Sequence, residues 1–492
     1  MIARIARSQT ACVAAGLFLI FLALMSGHLY SIDGLEYFRV AERIVFDRSL
    51  AFDPPLNWGI IIANPITPIG FSLVQIPAVL LTWWARPLQP AFGSDPYNYT
   101  LLYGDPVYTL TSWINPLLVA LSAALTFRTA ARLGAPSRAA LMVAVATALA
   151  SPLFFYARAD FPQPLTTSLM LGVVALLIDG VQKRHVRTGI MSSAVALSIL
   201  TRPVDGAIIV VVAVVVLCLP MEGWRPFRDG RPLLIEVACG LLVGLAALFV
   251  VDFIRFGSPF DTGYPTNLLG SLRWGLIAEL VSPGRGLLWY FPLTALAPIG
   301  LWALWRRGLR HEIGVLALPV LLYLPIYGKF IATGGWDWGP RYLAPLVPLL
   351  ALLAGAAVWS GRRPALGVLF GGLGIAGGLL NLANLAVDPL PGFWPVYGNT
   401  TFGTDAFWRQ FDLSAYPLIG SWNWYSSTAG PDIMWFRLAG STQHLSVVVF
   451  AILLLTGALA LVRAWRLAPR LLAELGPNNR DAHNGEDDRG TR

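Results

Sequence analysis

The sequence predicts an all-α polytopic membrane protein of about twelve transmembrane helices, and three observations lead there. Hydrophobic residues make up 56% of the 492 residues and charged residues only 13%, about half the charge of an ordinary soluble domain. Apolar runs long enough to cross a bilayer recur along the chain. Short arginine clusters separate them, which is how cytoplasmic membrane loops look. The net charge of +8 therefore reflects loop arginines and gives no reason to expect a nucleic-acid partner. Membrane lipids are the expected surroundings.

Spans are expected near 11–27, 112–131, 139–157, 164–181, 188–201, 205–220, 233–254, 286–305, 312–328, 341–359, 365–386 and 444–462. The short 188–201 span points to a helical break at Thr201, Arg202 and Pro203. Arg4 and Arg7 ahead of the first apolar run resemble a secretory signal, but the many following spans favour an uncleaved first helix. Residues 66–84 are apolar enough to cross, yet Pro65, Pro68, Gly70 and Pro77 interrupt them. If they crossed, every later basic cluster would face outward, against the positive-inside rule. They are read as a surface or re-entrant helix, which puts both termini in the cytoplasm of a bacterial inner membrane. Residues 1–465 form the membrane domain, with an outer loop at 28–111 carrying amphipathic surface helices and an aromatic outer loop at 387–443. Residues 466–492 are polar and are expected to be a disordered cytoplasmic tail. Cys12, Cys218 and Cys239 sit inside apolar runs and imply no disulfide framework.

Candidate chemistry clusters at the outer, periplasmic edge. After the first span, Tyr37, Val40, Ala41, Ile44 and Val45 recur at helical spacing, a face suited to the bilayer surface. Asp33 and Glu36 border that face, where a membrane-anchored donor would present its head group. The pair is also a capping box for the helix start. Asp160, in Tyr156-Ala-Arg158-Ala-Asp160, lies close to hydrocarbon. An acid there marks a functional site, an interfacial pair with Arg158, or a cap before the next helix. Ser282-Pro-Gly-Arg285-Gly allows close backbone approach, and Arg285 can grip phosphate through two nitrogens, although the same stretch makes a good loop. Gly334-Gly-Trp336-Asp337-Trp338-Gly-Pro-Arg341 combines indoles that suit sugars or polyprenyl chains with a second phosphate-binding arginine. The alternative is an aromatic belt with a snorkelling arginine. Tyr37, Trp336, Asp337 and Trp338 are the expected sugar or lipid contacts. There is no nucleotide-binding glycine loop and no zinc-spaced Cys/His set, and with five histidines a histidine metal site is not expected. No cofactor is implied, although a divalent cation held by carboxylates and phosphate oxygens remains open.

The order of these motifs resembles the GT-C glycosyltransferase superfamily: protein mannosyltransferases, lipid A aminoarabinose transferases and rhizobial lipopolysaccharide sugar transferases. The resemblance runs from Asp33, Glu36 and Tyr37 through Asn64-Pro-Ile-Thr-Pro-Ile-Gly, Asp160 and Thr201-Arg-Pro to Arg341-Tyr-Leu-x-Pro-x-x-Pro348. The chain departs from the family pattern in Asp33-Gly-Leu-Glu36, where many members have adjacent acids, and in Asn64-Pro-Ile, where aminoarabinose transferases show Glu-Lys-Pro. The resemblance implies that the acid at Asp33 acts on the acceptor and that Asp160 lies near the site.

The expected activity is therefore inverting hexosyl or pentosyl transfer. The sugar would pass from a polyprenyl-phosphate donor to a glycan, lipid or protein acceptor on the outer side of the membrane. Two alternatives remain. A transporter of lipid-linked glycans needs ionisable groups at span centres, which are almost free of charge here. An O-antigen ligase or polymerase would use arginines and a histidine in the late loop, where Arg409, Arg437 and His444 stand.

Overall fold

In a computed structural model of the protein, the described residues are 2–27, 32–51, 56–57, 61–62, 64–85, 112–182, 189–219, 229–263, 269–330, 338–360, 363–385, 408, 410–413, 433–437 and 443–474. They form a helical bundle. Six helices among them are long and apolar enough to cross a membrane, and five more are apolar but shorter.

Helix α1 (Ile2–Leu24) runs along the last long helix of the chain, Gln443–Glu474. Glycine permits the close approach, since a Cβ on Gly16 would lie 2.9 Å from the Gly457 carbonyl oxygen. The last helix continues to Glu474, past residue 466 where a disordered tail is expected, and 475–492 lie outside the described residues. The interior is filled by α4 (Ile114–Arg132), α5 (Ser137–Leu149), α7 (Gln163–Val181) and the helix Val347–Trp359, whose leucines and alanines are almost all buried.

Proline shapes the membrane segments more than the apolar runs suggest. The expected 139–157 span ends at Leu149, and after Ser151-Pro152 a separate turn, α6 (Leu153–Tyr156), begins. The expected 286–305 span is in three pieces: a turn at Leu287–Tyr290, a 3-10 segment at Pro292–Leu296 and a helix at Ala297–Arg306. A proline lacks the N–H that a continuous helix would use, so Pro152 and Pro292 start new elements. The break at Thr201 is present as expected. Helix α8 (Ile190–Thr201) ends there, and α9 begins at Pro203 and runs to Cys218.

Between α1 and α4 lie α2 (Ile32–Glu42), a π turn at Arg43–Asp47, a small hairpin of β1 (Leu56–Asn57) on β2 (Ile61–Ile62), and α3 (Ile69–Ala85). The apolar face of α2 does not lie on a bilayer surface as expected. Tyr37 packs with Phe71, Ile114, Leu118 and Leu165, and Val40 packs with Ile69 and Val251. On another side, Leu35, Phe38 and Ala41 meet Val79. The periodicity is real, but protein covers the face. That fixes α2, and the acids at its start, against the bundle.

Candidate active site

The two acids of α2 point to different partners. Asp33 lies in the first turn and its side chain is 43% exposed. Arg341 Nη2 donates to Asp33 Oδ2 at 2.7 Å. With its acid this open to solvent the pair is screened and contributes about 1 kcal/mol or less, and its arginine, 14% exposed, can be drawn away by a competing anion. The Arg341 guanidinium lies over the Phe161 ring at 4.3 Å. Arg341 opens a 3-10 turn directly after Gly339-Pro340. Gly339 has φ +71°, and a Cβ there would come 2.8 Å from the Tyr290 ring, so only glycine fits this corner.

Asp160 arrives on the irregular strand between α6 and α7. Asn115 of α4 donates to the carbonyls of Ala159 and, at 2.9 Å, of Phe161, bracketing Asp160. Ser26 donates to the Arg158 carbonyl at 2.9 Å. Arg158 is fully buried and bolts three segments together, donating through Nε to Leu24 O at 2.7 Å and through Nη1 to the Asn384 carbonyl and side chain at 3.0 and 2.8 Å. So held, Asp160 packs on α2, where a Cβ built on Gly34 would overlap its carboxylate oxygen Oδ2. Asp33, Asp160 and Arg341 therefore meet from three separate parts of the chain.

The loop containing Arg285 joins this region through Tyr290. The Tyr290 hydroxyl donates to Gly284 O at 2.8 Å, and its ring stands edge-on to Trp338 at 5.7 Å. Arg285 is buried, and its N–H donates to Ser282 Oγ at 3.2 Å. From the aromatic late loop, Gln410 O accepts the Gly284 N–H at 2.9 Å. Arg285 thus lies in a loop tied to the corner before Arg341.

Two expected sugar or lipid contacts sit elsewhere. Trp338 is 1% exposed. It stacks on Phe155, its indole N–H donates to Asn381 Oδ1 at 3.0 Å, and its carbonyl accepts from Tyr156 at 3.0 Å. It is a packing hub, because a large ring with one polar handle is stable inside only when that handle is satisfied. Tyr37 is likewise buried, edge-on to Phe71 at 5.1 Å. Trp336 and Asp337 lie outside the described residues.

Glu36, one helical turn after Asp33, is buried and accepts the Thr67 N–H at 3.4 Å. It thus reaches across to the 64–68 segment, and Asp33 to Arg341, where a capping box would turn both acids back on the helix start. Burial, with Asp33 close by, pushes the Glu36 carboxyl up to about 7.

Arg202, noted in the sequence only as a helix break, carries a second cationic group, packed on Tyr342, the residue that follows Arg341. Its guanidinium lies over the rings of Tyr342 at 4.8 Å and Tyr327 at 5.2 Å, and these rings stack on each other at 5.0 Å. Asp205 lies 3.3 Å from Arg202 Nη1 and accepts from the Tyr327 hydroxyl. The available signal was an Arg-Pro-x-Asp set inside an apolar run, since ionisable residues at membrane depth mark function.

Among the described residues no group of three or more His, Cys, Asp or Glu is placed to hold a metal ion. Asp33 and Asp160 adjoin across Gly34, so a hard cation there would draw much of its oxygen shell from a bound phosphate.

No protein-family model matches the sequence, and no curated protein matches it. Solved structures do. The crystal structure of ArnT from Cupriavidus metallidurans bound to undecaprenyl phosphate is 19% identical, with a TM-score of 0.50 over 94% of this chain and 77% of that one. Its apo state gives 17%, 0.49, 93% and 75%. The archaeal oligosaccharyltransferase AglB from Archaeoglobus fulgidus, in complex with an inhibitory peptide and a dolichol-phosphate, gives 11%, 0.44, 86% and 56%. The chain shares the fold of the ArnT structure.

Proposed function

We propose that the protein transfers a single sugar from a polyprenyl-phosphate donor to a cell-envelope acceptor on the outer face of a bacterial inner membrane, with inversion at the anomeric carbon. The observation that carries this reading is the Asp33–Arg341 pair, its acid open to solvent, with Asp160 packed beside it. It unites a general base and a phosphate-binding cation on a fold shared with a protein that binds undecaprenyl phosphate.

In this mechanism the donor draws the Arg341 guanidinium from Asp33, because the two non-bridging oxygens of its phosphodiester, which share one negative charge, accept two hydrogen bonds from the planar fork. Asp33 is thereby released as a base only when the donor is in place. It takes the proton from the acceptor hydroxyl as that oxygen attacks the anomeric carbon. The bond from that carbon to the phosphate oxygen breaks, and the electron pair leaves with the polyprenyl phosphate. Arg341, Arg285 and Arg202 stabilise the charge that develops there. Asp160, against Gly34, orients the acceptor or the sugar and carries any divalent cation the site takes.

The test uses full-length protein in nanodiscs with a panel of undecaprenyl-phosphate-linked hexoses and pentoses, following release of undecaprenyl phosphate by mass spectrometry. Acceptor-dependent release is expected from at least one donor. Arg341→Lys is expected to lower release about 10- to 100-fold, because an ammonium cannot make the bidentate contact. Absence of release from every donor contradicts the transferase reading, and unchanged release by Arg341→Lys contradicts the role of Arg341.

A further inference from the structure

A second buried charge network, used by no step above, adjoins the site. Arg255, 5% exposed, lies in the last turn of the helix Arg231–Phe256. Its Nη1 donates to the Thr67 carbonyl at 2.7 Å. Among the described residues its Nε and Nη2 have no hydrogen-bond partner. The Thr67 N–H donates to Glu36. The segment 64–68 is thus gripped at one residue from both sides, by α2 and by the end of a long membrane helix. Pro65 and Pro68 leave that segment few donors of its own.

A buried guanidinium with two nitrogens unsatisfied is costly, and an apolar side chain would fill the same space at lower cost. The structural role that remains for it is to hold Thr67, and through Thr67 the acid one turn from Asp33. The charges around Glu36 are few. Asp33 stands on its own helix and Arg255 faces it across Thr67. Asp252 and then Asp261 stand behind Arg255, with Tyr37 beside it. Asp160 meets α2 at Gly34, and α3 carries no ionisable residue.

We propose that Arg255 is a positioning residue for the transfer reaction: with Glu36 it clamps Thr67, and the clamp fixes the first turns of α2 and so the place of Asp33. This rests on the transferase reading. The ionised Glu36 carboxylate is the stronger acceptor for the Thr67 N–H and so completes the clamp, and the positive charge of Arg255 favours that ionised form. Release of undecaprenyl phosphate should therefore rise with pH through neutrality, where Glu36 loses its proton. Removing Arg255 disfavours the charged carboxylate and moves that rise to higher pH.

Four full-length proteins in nanodiscs test this: wild type, Arg255→Lys, Arg255→Met and Glu36→Gln. Each is followed by donor release against pH and by hydrogen exchange at the Thr67 amide. Arg255→Met is expected to lower release at pH 7 by about tenfold, shift the rise upward by about one pH unit and speed Thr67 exchange. Arg255→Lys, which can still donate to Thr67 O, should recover most of both. Glu36→Gln should flatten the rise. A wild-type pH profile and Thr67 exchange in Arg255→Met overturn the proposal while leaving the transferase reading intact. A wild type that releases nothing from any donor contradicts the transferase reading. In that case unchanged Thr67 exchange in Arg255→Met overturns the clamp independently.

Discussion

Replacing Gly34 with alanine is expected to reduce sugar transfer by about 100-fold or more while leaving the protein folded. A methyl group at this position would occupy the space of the Asp160 carboxylate, so either α2 or the 157–162 strand must give way. Neither yields easily. The strand is fastened by Asn115, Ser26 and Arg158, and α2 is buried on several sides. A displacement of about 1 Å among reacting groups costs about 100-fold in rate, because positioning supplies much of the acceleration. The overlap strains both elements, so the melting temperature should fall as well, and transfer is compared at a temperature where the variant remains folded. The measurement is donor release in nanodiscs beside a melting curve. Full activity in Gly34→Ala contradicts the placement of Asp160 at the reaction.

Asp33→Asn is expected to lower transfer about 10²- to 10⁴-fold, the usual loss of a general base, with a diagnostic sign in binding. The amide keeps the shape of the carboxylate but gives up its negative charge, so Arg341 is no longer held by an anion. Undecaprenyl phosphate should therefore bind the variant as tightly as wild type or more tightly, even as turnover disappears. Loss of rate without loss of binding marks a group acting in the transition state. Parallel loss of both marks Asp33 as a binding residue, and near-normal transfer removes it from the mechanism.

Much of this arrangement is legible in the sequence. The alternation of apolar runs and arginine clusters gives the helical class, and the placement of acids and glycine-arginine motifs at run edges picks out Asp33, Asp160 and Arg341. Partners across the chain are harder to read. The face of α2 has the same periodicity whether it rests on lipid or on Phe71 and Ile69, so the pattern suits a bilayer surface although Tyr37 lies in protein. Trp338 beside a run of glycines looks like a ligand platform. Only the tertiary contacts with Asn381, Phe155 and Tyr290 show that its polar handle is already used. Arg202 and Arg255 stand next to a helix break and a helix end, where a cation is unremarkable. What distinguishes them, stacking on Tyr342 and a bond to Thr67, spans 140 and 188 residues of sequence.

The most direct measurement is a cryo-electron microscopy structure of the full-length protein in nanodiscs with undecaprenyl phosphate. The account predicts the phosphate within hydrogen-bonding distance of the Arg341 guanidinium, with Asp33 freed from its pair and Asp160 still packed on Gly34. A phosphate bound away from that rim, with Asp33 and Arg341 far apart or on opposite sides of the bilayer, would contradict it.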